Sequence, residues 1–260
     1  MAEKSSITKV GTYEPFNLQV SRGQISYHRA VTVFGVNPDV DSAEETVWPN
    51  NGLIAHPASA TTMLVSSTSA ADIAATGTGA RSILLEGLDV DYREISEVVA
   101  LNGQTAVSTV KQYRRINRMA VASAGSGEAN AGHIYIGSGV VTAGVPAVVY
   151  NLIDVGYNTS TTAHYTVPAN HTAYLSEGVI TVGQPGGSNE VIGRLLTAGT
   201  DGIRYTAAIV ALNNGSVAYN FQYPVRIPEK TDIEATAVGK SNNNVVTTMF
   251  NMVLIQNADN

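Results

Sequence analysis

The sequence predicts an all-β protein: two β-sandwich domains, jelly-roll-like in character, with an extended N-terminal arm. Three observations predict it. Short runs rich in Val, Ile, Thr and Tyr recur along the chain at about the 8–12-residue spacing usual for sandwiches and barrels. Gly, Pro and Asn punctuate these runs, either reaching left-handed conformations cheaply or stopping a ladder. No stretch carries the sustained 3.6-residue apolar period of an amphipathic helix.

Residues 1–23 read as the arm. Tyr13-Glu14-Pro15-Phe16 interrupts any helix, and Phe16, Leu18 and Val20 alternate with Asn17, Gln19 and Ser21. An alternating segment near a terminus needs an edge to pair with, its own sheet's or a neighbour's, so Phe16, Leu18 and Val20 are candidate interface residues. The first sandwich is placed at residues 24–150. Its strands begin with 24–35 and with 46–51, which holds the lone Trp48, and continue with 61–65. Residues 66–79 are Ser, Thr, Ala and Gly around a single Asp72, and read as a loop. Runs 82–89 and 92–101 make a half-buried antiparallel sheet. Asn102-Gly103, the strongest short hairpin signal, is predicted to join the run ending at Leu101 to the run 105–119. Strands 133–137 and 145–149 complete the first half, and 151–161 is a connector. The second sandwich, 151–260, takes strands 163–167, 173–182, 191–196, 203–212, 218–223, 232–238 and 245–255. Its turns include Pro168-Ala169-Asn170, Gln184-Pro185-Gly186-Gly187, Asn213-Asn214-Gly215 and Asn242-Asn243-Asn244.

Charged residues make up only 14% of the chain, against roughly 25% in an average domain. Charge is depleted where a surface faces other chains; a Thr- and Gly-rich sandwich is the alternative source of the same composition. With a net charge of −6, no long-range field draws the molecule to nucleic acid or to an anionic membrane. The absence of cysteine removes disulfides, thiolate metal sites and cysteine nucleophiles together. Met1 to Val10 lacks the apolar centre of a secretory leader, and no apolar run approaches the roughly 20 residues that span a bilayer. A cytosol-like compartment is the expectation.

The candidate chemistry is sparse. Gly77-Thr78-Gly79-Ala80-Arg81 lacks the Gly-Lys-Ser/Thr ending of a phosphate loop and runs into a strand. Asp89-Val90-Asp91 opens like a calcium loop, but Glu94 and Ala100 stand where Gly and Glu are needed, so a surface turn is expected. The five histidines, 28, 56, 133, 164 and 171, form no ligand motif. His164 and His171 are the one pair a turn would bring together. No Gly-x-Ser-x-Gly elbow occurs and no carboxylate pair is singled out. No catalytic, cofactor or metal residue is therefore nominated, and no enzyme is expected. Lys111, Arg114, Arg115 and Arg118 form the basic cluster. On a strand, Arg114 and Arg118 share a face and Arg115 points away. Their partners are either Glu86, Glu94 or Glu97 on the adjacent strand or an acidic protein, and Arg114, Arg115 and Arg118 complete the candidate interface set. Twelve tyrosines and Trp48 supply either packing or a sugar-stacking face.

Several stretches stand out: the run from Pro15 to Ile25, Gly77 to Arg81, Glu86-Gly87-Leu88-Asp89, Ser96-Glu97, Leu101-Asn102-Gly103 and Arg115-Ile116-Asn117-Arg118, with Tyr165 to Ala169 and Ile227 to Glu234 in the second half. These stretches are similar to a group of virion structural proteins from tailed phages of aquatic bacteria. Asn170-His171 departs from the Gly-Lys or Gly-Tyr expected in that turn. The resemblance covers most of the chain and implies a structural part of the particle, carrying over no functional residue. The expected role is a capsid decoration (cement) or head-fibre protein, a homo-oligomer with a trimer favoured, contacting the major capsid protein or other virion proteins after assembly in the host cytoplasm. A neck or tail adaptor or fibre is the second structural role. A glycan-binding adhesin module is the alternative from another class, followed by an enzyme acting on host polysaccharide.

Overall fold

The computed structural model describes residues 7–8, 12–183 and 190–257, and it is all-β apart from one short helix. In chain order the elements are β1 (Ile7–Thr8), β2 (Thr12–Tyr13), α1 (Phe16–Ser21), β3 (His28–Val40), β4 (Glu45–Thr46), β5 (Leu64–Ser67), β6 (Ala80–Leu88), β7 (Glu94–Ala100), β8 (Val107–Ser108) and β9 (Arg115–Ala124). They continue with β10 (Ile134–Thr142), β11 (Val145–Ile153), β12 (His164–Thr166), β13 (His171–Gly183), β14 (Val191–Ala198), β15 (Arg204–Leu212), β16 (Gly215–Ile227), β17 (Asp232–Gly239) and β18 (Asn244–Gln256). The predicted turn at 184–187 lies outside the described residues.

Two hydrophobic cores organise these strands. The first lies between the sheet β11-β10-β5-β8 and the sheet β7-β6-β9. On β6 the pleat sends Ile83 and Leu85 fully inside, where they meet Met63, Tyr113, Met119, Ile134 and Ile136. The second core lies between β16-β13-β18-β3 and β15-β14-β17-β12, with β4 also on β17. Here Val33, Leu175, Val182, Ile233, Val246 and Phe250 interdigitate. From β3 onward the chain switches between these two sheets in the order that defines an eight-stranded jelly roll, with β4 and β12 sharing one strand position. Segment 28–40 thus packs with the C-terminal half, although it falls inside the stretch 24–150 that the sequence groups with the first-half strands.

The chain leaves the jelly roll after Val47 and returns at Ala163, and these two residues touch. The Ala163 amide donates to the Val47 carbonyl at 3.0 Å, while Val47 N–H donates to Ala235 O at 2.9 Å. Trp48, Ile54 and Leu152 form a small third cluster at this exit.

Two local readings are corrected. Residues 16–21 are a helix and not an extended strand. Apolar residues at alternate positions over so short a run also place Phe16 and Val20 on one helical face. Pro15 starts the helix without needing an N–H, and its carbonyl accepts from Leu18 and Gln19. Gly23, at φ +65°, ends it, with Gly23 N–H on Val20 O and Gln24 N–H on Gln19 O, the paired bonds of a glycine-terminated helix. Nor does Asn102-Gly103 close a hairpin between its flanking strands. Gly103 does adopt φ +59°, but β7 belongs with β6, and β8 pairs with β5 in the opposite sheet. Gly103 instead donates to Asp72 O and accepts from Ser67 N–H, so the turn carries the chain across the sandwich. The hairpin is β6–β7, closed by Asp89, whose Oδ1 accepts from the amides of Asp91 and Arg93 at 2.9 Å each.

Candidate functional site

The six residues singled out from sequence fall in different environments. Phe16 and Leu18 are about half exposed, Phe16 lying edge-on to His28 at 6.0 Å, while Val20 is buried beneath them. Arg118 extends from β9 to Glu86 on β6 at 2.7 Å, the neighbouring-strand ion pair expected of this cluster. Arg114 donates from Nε to Tyr92 Oη at 2.9 Å and stacks its guanidinium 5.2 Å from the same ring. Arg115 leaves the first core altogether. It grips Asp232 of β17 through Nε–Oδ1 at 3.0 Å and Nη2–Oδ2 at 2.9 Å.

That reach defines a polar junction between the two cores. β9 supplies Arg115 and Asn117, whose side-chain amide exchanges two hydrogen bonds with the Thr166 backbone, at 2.9 and 3.0 Å. β12 supplies His164 and Thr166, the latter donating its hydroxyl to Asp232 Oδ1. The loop after β4 supplies His56, whose ring tilts against His164 at 4.5 Å. His164 Nε2 stands 3.6 Å from Asp232 Oδ1, just beyond hydrogen-bond reach. His164 is only 2% exposed, and neither of its ring nitrogens has a hydrogen-bond partner. Burial pushes the His56 imidazolium well below its ordinary pKa, and His164 and Arg115 add to this against an opposing pull from Asp232. Burial alone would raise the Asp232 carboxyl, but His164 and the Arg115 guanidinium outweigh it and hold it well below the usual carboxylate range.

Sequence reasoning nominates Arg115 here and misses its partners. His56, His164 and Asp232 are more than 60 residues apart in pairs, so no local spacing advertises them. The pair His164–His171 is not what forms, since His171 Nδ1 turns to Ala169 O at 2.9 Å. Trp48 is unavailable as a sugar-stacking surface: it is fully buried and donates Nε1–H to Gly52 O.

Beside the junction a cleft of about 480 Å³ runs between β3 and the β6–β9 sheet. The pairs Arg29–Glu94 and Arg118–Glu86 border it, and Asn117 and Tyr165 line it. Burial pushes the Tyr165 hydroxyl up to about 12.

No protein-family model matches this chain, and no curated protein matches it. Among solved structures it is similar to a chain of the cowpea mosaic virus top component, a naturally occurring empty particle, with 10% identity, 74% of this chain and 80% of that one covered, and a TM-score of 0.22. It is also similar to a chain of infectious bursal disease virus, Gx strain, with 13% identity, 90% and 73% covered, and a TM-score of 0.26. Superpositions at this level establish neither a common fold nor a common role.

Proposed function

We propose that the chain is a structural component of a virion, acting as a capsid decoration or head-fibre protein that assembles as a homo-oligomer, with a trimer favoured. The observation that supports this best is the outer edge of the jelly roll. Among the described residues β15 and β16 each end a sheet, and with the residue preceding β15 they expose Ile203, Tyr205, Ile209 and Tyr223. Unpaired edges with exposed apolar side chains are surfaces that take a neighbouring chain. The jelly-roll order, common in capsid and lectin domains, supports the same reading as a fold-level analogy, and so does the sequence resemblance to phage virion proteins.

The test is a cryo-EM map of the intact particle together with light scattering of the purified chain. The reading expects copies at regular positions on the shell and an oligomer that Ile209→Asp converts to folded monomers. Absence from the particle, or a monomer at every concentration, overturns it. Glycan binding is the second reading, favoured by the cleft that two ion pairs border and that Asn117 and Tyr165 line. It expects array binding that weakens in Asn117→Ala.

A further inference from the structure

We propose that His56, His164 and Asp232 bind a first-row divalent transition-metal ion of the zinc class, and that this ion would tie the loop after β4 to β12 and β17. The three residues each offer one ligand atom, and these atoms all lie within 4.8 Å of one another. Ligand atoms around a tetrahedral zinc stand about 3.3 Å apart, given bonds near 2.0–2.1 Å. The His164–Asp232 separation of 3.6 Å is close to that edge already. His56, the less buried of the two rings, is the ligand that would have to move to close the remainder.

His164 carries the argument. Buried polar side chains nearly always have hydrogen-bond partners, yet this one is almost fully enclosed with both ring nitrogens unpartnered, and Nε2 faces a carboxylate oxygen. An ion between them would satisfy Nε2. The shell behind Asp232 is also built: Arg115 and Thr166 fix its carboxylate, as outer partners do in metal sites. Two imidazoles and one carboxylate select zinc, cobalt or nickel over magnesium and calcium, which prefer all-oxygen surroundings.

The experiment titrates chelator-stripped full chain with Zn²⁺ by calorimetry and with Co²⁺ by visible absorption. Expected are one Zn²⁺ per chain, intense low-symmetry Co²⁺ bands, and a thermal midpoint raised by Zn²⁺ and not by Mg²⁺. Thr166→Val should weaken binding by roughly 10–100-fold, the usual cost of an outer partner, and His56→Gln and His164→Gln by more. Should His164→Gln fail to fold, His56→Gln on its partly exposed loop decides. His133→Gln controls for the separate His133–Asp154 pair at 2.9 Å and should bind as the wild type does. Zn²⁺ affinity unchanged by His56→Gln, affinity lost in His133→Gln, a six-coordinate aqua Co²⁺ spectrum or no binding at all would each overturn the site.

Discussion

Arg115 and Arg118 stand three positions apart on β9, and their ion pairs differ in worth because one is largely shielded from water and the other is open to it. The Arg115–Asp232 side chains are 13% and 16% exposed, those of Arg118–Glu86 53% and 44%. Breaking a buried pair strands a charge and costs about 3–5 kcal/mol, whereas an exposed pair contributes at most about 1 kcal/mol. Urea unfolding should therefore separate Arg115→Met from Arg118→Ala by several kcal/mol. Asp72 is a second buried anchor. Its carboxylate accepts from the amides of Ala80, Ala131 and Gly132 and from the Ser67 hydroxyl, at 2.6–2.9 Å. Asp72→Ala leaves those donors unmatched at about 1–3 kcal/mol each, enough to unfold the loop 66–79 as measured by amide exchange. Tyr113 gives a pH prediction. Burial first, and the Glu97 carboxylate after it, raise its pKa, so the folded chain keeps a proton that the unfolded chain releases above about pH 10. Stability falls as pH rises through that range. Tyr113→Phe, which deletes a buried hydroxyl with no hydrogen-bond partner, should keep its neutral-pH stability within about 1 kcal/mol and lose less in alkali.

At the scale of elements, the strands of the second half were legible because each repeats the same signals: period-2 apolar residues bounded by Gly, Asn or Pro. Ala173 to Val182 and Val245 to Ile255 lie inside β13 and β18 for that reason. The failures have physical causes. Six residues cannot distinguish a period of 2 from one of 3.6, which hid α1. An Asn-Gly pair specifies a backbone turn but not which strand the chain meets next, which hid the crossing at Gly103. Close approach of elements was also invisible. Gly35 of β3 faces the Val47 carbonyl and Ala163, and a Cβ there would collide with both. Gly35→Ala should cost about 1–3 kcal/mol or more, read as a lower thermal midpoint.

For the whole molecule, the all-β class was legible in the sequence, while the junction stayed hidden because its residues come from four separate segments. Long-range pairing, not local pattern, brings Arg115 to Asp232 and His56 to His164. Val47 and Ala163 touch at the exit from the jelly roll, so the intervening residues can in principle be removed without stretching the sheets. A chain with residues 49–162 replaced by a short Gly-Ser linker is expected to retain a β-sheet circular dichroism spectrum. Its unfolding midpoint should fall, since Asp232 loses Arg115.

The pairing of β3 with β18, which sets His28 opposite Ile255 and Val40 opposite Asn244, also imposes an order on biosynthesis. At about 5–20 residues per second, β3 waits on the order of 10–40 s for its partner to leave the ribosome, since a non-local sheet cannot close before both strands exist. The strands between residues 64 and 153 emerge together in that interval. The inserted sandwich is therefore the first part of the nascent chain able to fold, and the jelly roll closes around its two ends last.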